Sequence, residues 1–474
     1  MKSETIAAIA TPLSVSGIGI IRISGDDAGL IVDKVFRNKA GKRKIAQVKS
    51  HTVHYGYIVN SDLPDWTNYI IDEVIVIVMN APNSFTKENT VEINCHGGVL
   101  VMQKILAAVL ENGARLADPG EFTKRAFLNG RIDLTKAEAV IDIIHSQNEY
   151  ALRSSVDQLK GSLSAEVKSL REEILYQIAF IESALDDPEH ISLEGYQEEL
   201  AEKVNVIRYR IEKLLATADN GRMLREGINT VIVGKPNAGK SSLLNVLVGE
   251  ERAIVTDVAG TTRDTLQEHI RLNGIDLNVY DTAGIRATED VVERIGVERA
   301  RKYAAEADLI IYVVDSSIPL DENDSDIISF IQDKKVIILM NKSDLHDPEG
   351  SSGKKTEMYE ELAGKFPSEI DIITVSTKEQ TGMDLLEKAI MKMFFQGEIT
   401  FNNQVVITNM RHKEAFSDAY NNLELVKESL EKGMPEDFYS IDLMSAYTSL
   451  GTIIGEEVDD DLVNEIFSKF CMGK

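Results

Sequence analysis

Eight residues, Gly234-Lys235-Pro236-Asn237-Ala238-Gly239-Lys240-Ser241, constrain this chain more than any others. They match G-x-x-x-x-G-K-S and stand between an apolar β-branched run, 229–233, and a helical pattern carrying Leu243, Leu244, Val246 and Leu247. A strand, a glycine-rich turn and a helix N-terminus in that order make an anion cradle. The glycines let backbone N–H groups approach phosphate oxygens, and the helix end adds partial positive charge. Lys240 reaches the β and γ phosphates, and the Ser241 hydroxyl suits Mg²⁺. Asn237, Ala238, Gly239 and Ser242 complete the expected nucleotide contacts. Strand and helix patterns go on alternating as far as 396, with 277–280, 309–314 and 336–340 reading as further buried parallel strands.

Three short elements follow these strands. Asp281-Thr282-Ala283-Gly284 lies where a P-loop protein needs a carboxylate near Mg²⁺ and a backbone amide for the γ-phosphate. Asn341-Lys342-Ser343-Asp344 and Ser376-Thr377-Lys378 lie where a base is chosen. Asp344 can accept from the N1–H and exocyclic amine of guanine, whereas adenine would leave a buried charge unpaired. Singly, each element could be a helix cap or a turn. In this order they resemble the guanine-nucleotide signature of the translation-factor-related GTPases. In such proteins the segment Asp257-Val258-Ala259-Gly260-Thr261-Thr262-Arg263-Asp264 would be the mobile loop that senses the γ-phosphate, with Thr262 on Mg²⁺. Ras-like proteins place a water-orienting Gln directly after the Gly of the Asp281 element. Here that residue is Ile285, whose alkyl chain cannot position water. Glu293 is the candidate instead, against the alternative of a solvated helix charge. No arginine finger is assignable, but Asn237 offers a neutral oxygen to a monovalent cation.

At 474 residues the chain predicts about three domains, taking roughly 150 residues for each. Its 77 acidic residues against 51 basic ones, net −26, oppose a protein that coats nucleic acid by phosphate neutralisation alone. Cys95 and Cys471 are the only cysteines, which removes a disulfide framework and a Cys-based zinc site and fits a reducing, cytoplasmic setting. No apolar run approaches the ~18 to 20 residues that span a bilayer. The opening Met1-Lys2-Ser3-Glu4-Thr5 precedes too short an apolar stretch for a signal peptide, so the mature chain is expected to begin at Met1.

The expected fold class is α/β plus all-α. Residues 1–118 read as an α/β domain. From Pro119 onward Leu152, Val156, Leu159, Leu163, Val167, Leu170, Ile174, Ile178, Ile181 and Leu185 form one apolar helical stripe interrupted only by Gly161. That stripe predicts a rod of about 50 Å. Helical periodicity returns over 411–430, 440–450 and 459–470. The simplest organisation is a helical domain, 119–224 and 398–474, into which a Ras-like P-loop GTPase domain, 225–397, is inserted.

The flanks carry a more specific likeness. It lies in Ala10-Thr11-Pro12, Gly19-Ile20-Ile21-Arg22-Ile23-Ser24-Gly25, Asn83-Ser84-Phe85-Thr86, His96-Gly97-Gly98, the run Pro119-Gly120-Glu121-Phe122-Thr123-Lys124-Arg125-Ala126-Phe127-Leu128-Asn129-Gly130 and the terminal Cys471-Met472-Gly473-Lys474. With these, nearly the whole chain resembles the MnmE (TrmE) family of tRNA-modification GTPases. The resemblance implies a cytoplasmic homodimer that works with the FAD-dependent partner MnmG in a heterotetramer-type complex. Together they would install a carboxymethylaminomethyl or aminomethyl group at C5 of the wobble uridine of certain tRNAs, with G-domain dimerisation driving GTP hydrolysis. It further implies K⁺ on Asn237 and on backbone oxygens of Thr256, Val258 and Thr261, Mg²⁺ on Ser241 and Thr262, and Glu293 as the water-orienting carboxylate. The N-terminal domain would bind a reduced folate, 5-formyl- or 5,10-methylene-tetrahydrofolate, near Arg22, Glu92 and Arg131 with Lys474 close by, and Cys471 would be a functional thiol.

Chemistry is consistent with those roles. A carboxylate such as Glu92 can accept two hydrogen bonds from a pterin amine and ring N–H, and cations suit a glutamate tail. In strand-like segments, outward-facing charge is the alternative for Arg22 and Glu92, as an inert thiol is for Cys471. Lys39, Lys42, Arg43, Lys44 and Lys49 read as a solvated loop before a tRNA contact. His96 has no partner at catalytic spacing nearby and reads as structural. A G protein that only switches, and a folate enzyme with a regulatory G domain, are the rival functions.

Overall fold

The computed structural model describes residues 4–40, 42, 44–60, 66–146, 148–187, 189–190, 195–249, 267–272, 275–280, 301–345, 352–366, 370–395, 405–456, 458, 460–470 and 473. The chain divides into two compact units, one of Met1–Ile144, Val156–Val204 and Asp418–Lys474, the other of His145–Ser155 and Asn205–Ser417.

In the first unit β1 (Ile6–Ile9), β2 (Ser16–Ser24), β3 (Phe36–Arg37), β4 (Thr52–Val59), β5 (Ile70–Met79), β6 (Thr90–Gly97) and β7 (Arg115–Leu116) form one sheet in the order β3-β4-β5-β6-β2-β1-β7. Its pairs are antiparallel except β1 with β7. Val74, Val76 and Val78 alternate inward with Val91, Ile93 and Cys95, and the helices Ala28–Val35 and Val99–Glu111 pack on that face. Because side chains alternate along a strand, Glu92, Asn94 and His96 share the opposite face with Arg22, which pairs with Glu92, and with Ile75 and Tyr55, which are in register with Asn94.

The helical stripe differs from expectation. Gly161 adopts φ +100°, a left-handed conformation that costs glycine little and ends a helix. The single rod is therefore two helices, Glu149–Lys160 and Ser162–Asp186. The second buries Leu163, Val167, Leu170, Ile174, Ile178 and Ile181 and packs on Glu436–Ile454.

In the second unit β8 (Ile228–Val233), β9 (Gln267–Leu272), β10 (Ile275–Tyr280), β11 (Leu309–Asp315), β12 (Val336–Asn341) and β13 (Asp371–Thr374) are ordered β13-β12-β11-β8-β10-β9. The expected strands are parallel, as their apolar runs require, with cores on both faces. β9 was not foreseen; it is an antiparallel edge whose Gln267, Glu268, His269 and Arg271 give no continuous apolar run. From β8 the chain runs to the edge strand β9, returns through β10 to lie beside β8, and then crosses to the other side of β8 for β11, β12 and β13. This reversal opens a crevice at the carboxyl ends of β8 and β11, where α/β sheets bind ligands.

Candidate nucleotide site and a second polar cluster

The loop leaving β8 has no room for side chains at two positions. Gly234 has φ +152°, and a Cβ there would stand 2.3 Å from the Val313 carbonyl oxygen; at Gly239, φ +104°, it would stand 2.1 Å from Asn341 Nδ2. Asn237 adopts φ +61°, which Asn tolerates better than most residues. Lys240 opens the helix Lys240–Gly249, and its Nζ donates to the carbonyls of Gly234 and Lys235, both at 2.7 Å.

Asn341, at the end of β12 and 1% exposed, joins two loops. Its Nδ2 donates to the Ala238 carbonyl at 2.9 Å, and its Oδ1 accepts from the Thr377 N–H at 3.1 Å. Asp344 Oδ1 accepts from Ser376 Oγ at 2.7 Å, and Lys378 Nζ lies 3.8 Å from Oδ2. Lys342 Nζ contacts Asp315 Oδ2 at 2.5 Å. Burial works to raise the Asp315 carboxyl, but hydrogen bonds from Lys342 and Ser317 outweigh it and hold the group below its ordinary range. The two loops enclose a cavity of about 560 Å³, within the size range of small-molecule sites. Asn237, Gly239, Lys240, Ser241 and Ser242 line one end, and Asn341, Lys342, Asp344, Thr377 and Lys378 the other. Ala238 and Ser376 are buried behind it. Thr256, Asp257, Val258, Ala259, Gly260, Thr261, Thr262, Asp281, Thr282, Ala283, Gly284, Glu293, Cys471 and Lys474 lie outside the described residues.

A second cluster sits on the open face of the N-terminal sheet. Arg22 Nε donates to Glu92 Oε1 at 2.8 Å, and its Nη1 donates to the Gly473 carbonyl at 2.9 Å. The Arg22 guanidinium lies 5.8 Å from the Phe122 ring centroid, and Arg131 lies 4.8 Å from that of Phe85. Phe85 and Phe122 pack together with Ile6, Ala8 and Ala117, so the two arginines flank one aromatic cluster. On the same face, Asn94 Nδ2 is buried with no hydrogen-bond partner among the described residues. His96 Nδ1 meets Asp72 Oδ1 at 2.8 Å, and this hydrogen bond raises the imidazole above its ordinary value. That partner, on β5, was missed by sequence reasoning because it is remote in the chain. The alternation of Glu92, Asn94 and His96 was the signal that could have placed them on one surface. On the other face, burial pushes the Cys95 thiol up to about 11, so this thiol stays protonated at neutral pH.

Residues 5–131 match the family model of the GTP-binding protein TrmE N-terminus, and residues 134–471 match that of the MnmE helical domain. The tRNA modification GTPase MnmE of Lachnoclostridium phytofermentans is 56% identical over 474 residues, covering 100% of both chains. The chain belongs to the MnmE family. The proteins of the same name from Acetivibrio thermocellus and Bacillus mycoides are each 46% identical, with 100% of both chains covered.

As a member of the MnmE family the chain is a GTP hydrolase acting in tRNA modification, and the cavity between the Gly234 and Asn341 loops belongs to its Ras-like P-loop domain. Among the described residues, no helix is long and apolar enough to cross a membrane.

Proposed function

We propose that this MnmE-family GTPase acts in the cytoplasm as a homodimer with the FAD-dependent MnmG, in a heterotetramer-type complex that adds a carboxymethylaminomethyl or aminomethyl group to C5 of wobble uridine in certain tRNAs. The observation that carries this reading is the contact of the Gly473 carbonyl with Arg22, itself paired to Glu92. It puts Gly473 beside the Arg22–Glu92 pair on a polar surface of the N-terminal domain, in a chain that also holds a guanine-type cavity. The segments 1–118, 119–224, 225–397 and 398–474 are the proposed domain divisions.

In the cavity, Lys240 binds the β and γ phosphates while loop N–H groups around Ala238, Gly239, Ser241 and Ser242 cradle them. Asn341 holds the two loops together, Asp344 reads guanine, and Lys342, Ser376, Thr377 and Lys378 form the base pocket. Mg²⁺ is assigned to Ser241 and Thr262 with the Asp281 carboxylate near it, and a backbone amide of the Thr282-Ala283-Gly284 segment is assigned to the γ-phosphate. K⁺ is assigned to Asn237, Thr256, Val258 and Thr261, within the loop that also contains Asp257, Ala259 and Gly260, and Glu293 orients water. The left-handed Asn237, on the cavity wall, supports the K⁺ assignment because a carboxamide oxygen is a hard, neutral ligand. When bound, the ion supplies the positive charge an arginine finger would bring.

The N-terminal cluster fits a reduced folate, which supplies the one-carbon unit when bound. Glu92 engages Arg22 through Oε1, leaving Oε2 for a pterin amine, and Asn94 Nδ2 is an orphaned donor beside it. Arg131 and Lys474 suit a glutamate tail, and Cys471 is assigned as the functional thiol of that reaction. Exposed Val53, Tyr55 and Ile75 on the same sheet form an apolar surface suited to a second copy of the chain.

Deleting the gene should remove the modified wobble nucleoside from the affected tRNAs in a nucleoside digest, and an unchanged profile defeats the proposal. Turnover of the purified protein should be at least about tenfold faster in K⁺ than in Na⁺, as expected for one preorganised charge at the transition state. Asn237→Ala should erase that ratio with nucleotide affinity nearly intact; a retained ratio removes the K⁺ site.

A further inference from the structure

Lys235, the first side chain after Gly234, is turned away from the cavity. Its Nζ lies 2.7 Å from Asp324 Oδ2 and 3.0 Å from Asp321 Oδ2, at the start of the helix Glu322–Ile331. Neither carboxylate is loose. Asp321 caps that helix, accepting from the N–H groups of Asn323 and Asp324, and Asp324 Oδ2 accepts from the Asp321 N–H. Asp324 is 1% exposed, and its Oδ1 accepts from the hydroxyl of Tyr312, a fully buried side chain on β11. The lysine side chain is only 10% exposed. Burial acts to lower its ammonium, but Asp324 and Asp321 outweigh burial and raise it. Hydrogen bonds to charged groups in such surroundings are among the stronger ones.

The same residue's backbone faces the other way. The Lys235 carbonyl accepts from Lys240 Nζ at 2.7 Å and from the Ala238 N–H at 3.3 Å, and Gly234 is pressed on β11 at the Val313 carbonyl. Three residues of the β11 to 331 segment, Tyr312, Asp321 and Asp324, thus bear on one peptide of the phosphate loop through a single side chain. We propose that Lys235 is a positioning residue for the phosphate-binding lysine: Asp321 and Asp324 tether its ammonium, the tether fixes its carbonyl, and the carbonyl holds the Lys240 amine where a nucleotide's phosphates meet it.

The test uses the full chain, with GDP affinity measured by calorimetry and GTP turnover alongside. Lys235→Met should weaken GDP by about tenfold, the worth of one charge-assisted hydrogen bond. Lys235→Arg, which keeps the ion pairs, should stay within about threefold of the parent chain. On a Lys240→Ala background, Lys235→Met should change GDP affinity by less than about twofold, since residues acting through one group are non-additive. A merely structural role predicts the full loss on both backgrounds, and that result overturns the proposal, as does unchanged affinity in Lys235→Met alone. Should Lys235→Met not fold, Asp321→Asn, at the more exposed partner, should cost about threefold. That loss should likewise vanish on the Lys240→Ala background, and its persistence also overturns the proposal.

Discussion

Asp344→Asn is expected to shift the chain from guanosine towards xanthosine nucleotides by about a hundredfold or more in relative kcat/KM, because each buried unpaired polar group costs about 1–3 kcal/mol. Ser376 Oγ donates to Asp344 Oδ1 at 2.7 Å, and an Asn at this position keeps that bond only with its carbonyl oxygen at Oδ1. Its amide nitrogen then occupies the Oδ2 position. Guanine would present its exocyclic amine to that amide donor, whereas xanthine presents a 2-oxo acceptor there; N1–H is common to both bases. Competing GTP against XTP in a turnover assay measures the shift, and unchanged GTP selectivity refutes Asp344 as the base reader.

Arg22→Ala should weaken binding of 5-formyltetrahydrofolate by about thirtyfold to a hundredfold, from loss of charge-assisted bonds worth about 1.5–3 kcal/mol each. Two contacts go together, the salt bridge to Glu92 and the hydrogen bond to the Gly473 carbonyl. The carboxylate would lose its orientation and the Gly473 carbonyl its donor. Arg22→Lys should recover only part of the affinity, since one ammonium cannot span both acceptors in the guanidinium's planar fork. Calorimetric titration of folate, with thermal unfolding as the control for folding, decides it. Equal affinity in Arg22→Ala and the parent chain would exclude the cluster as the folate site.

Most of the nucleotide domain was legible because its information is local. Val233, Gly234, Gly239 and Lys240 fall within one strand, turn and helix start, and the apolar runs of β8, β10, β11 and β12 announce strands buried on both faces. β9 escaped because an edge strand is paired on one side and can carry charge along its length. The helical rod was misread because periodicity continues across Gly161, while the φ +100° that breaks it leaves no mark in the spacing of apolar residues.

Residue types and their order by themselves determined the family, the parallel sheet and the glycine-rich turn between β8 and the helix that Lys240 opens, since propensity, turn geometry and motif spacing act over a few neighbouring positions. Only the tertiary structure decided that Asn341 ties two loops together, that Asp72 serves His96, that Lys235 turns to Asp324, and that Gly473 closes on Arg22. Each of these joins groups from separate elements, and their meeting depends on strand register and packing, which no local pattern encodes.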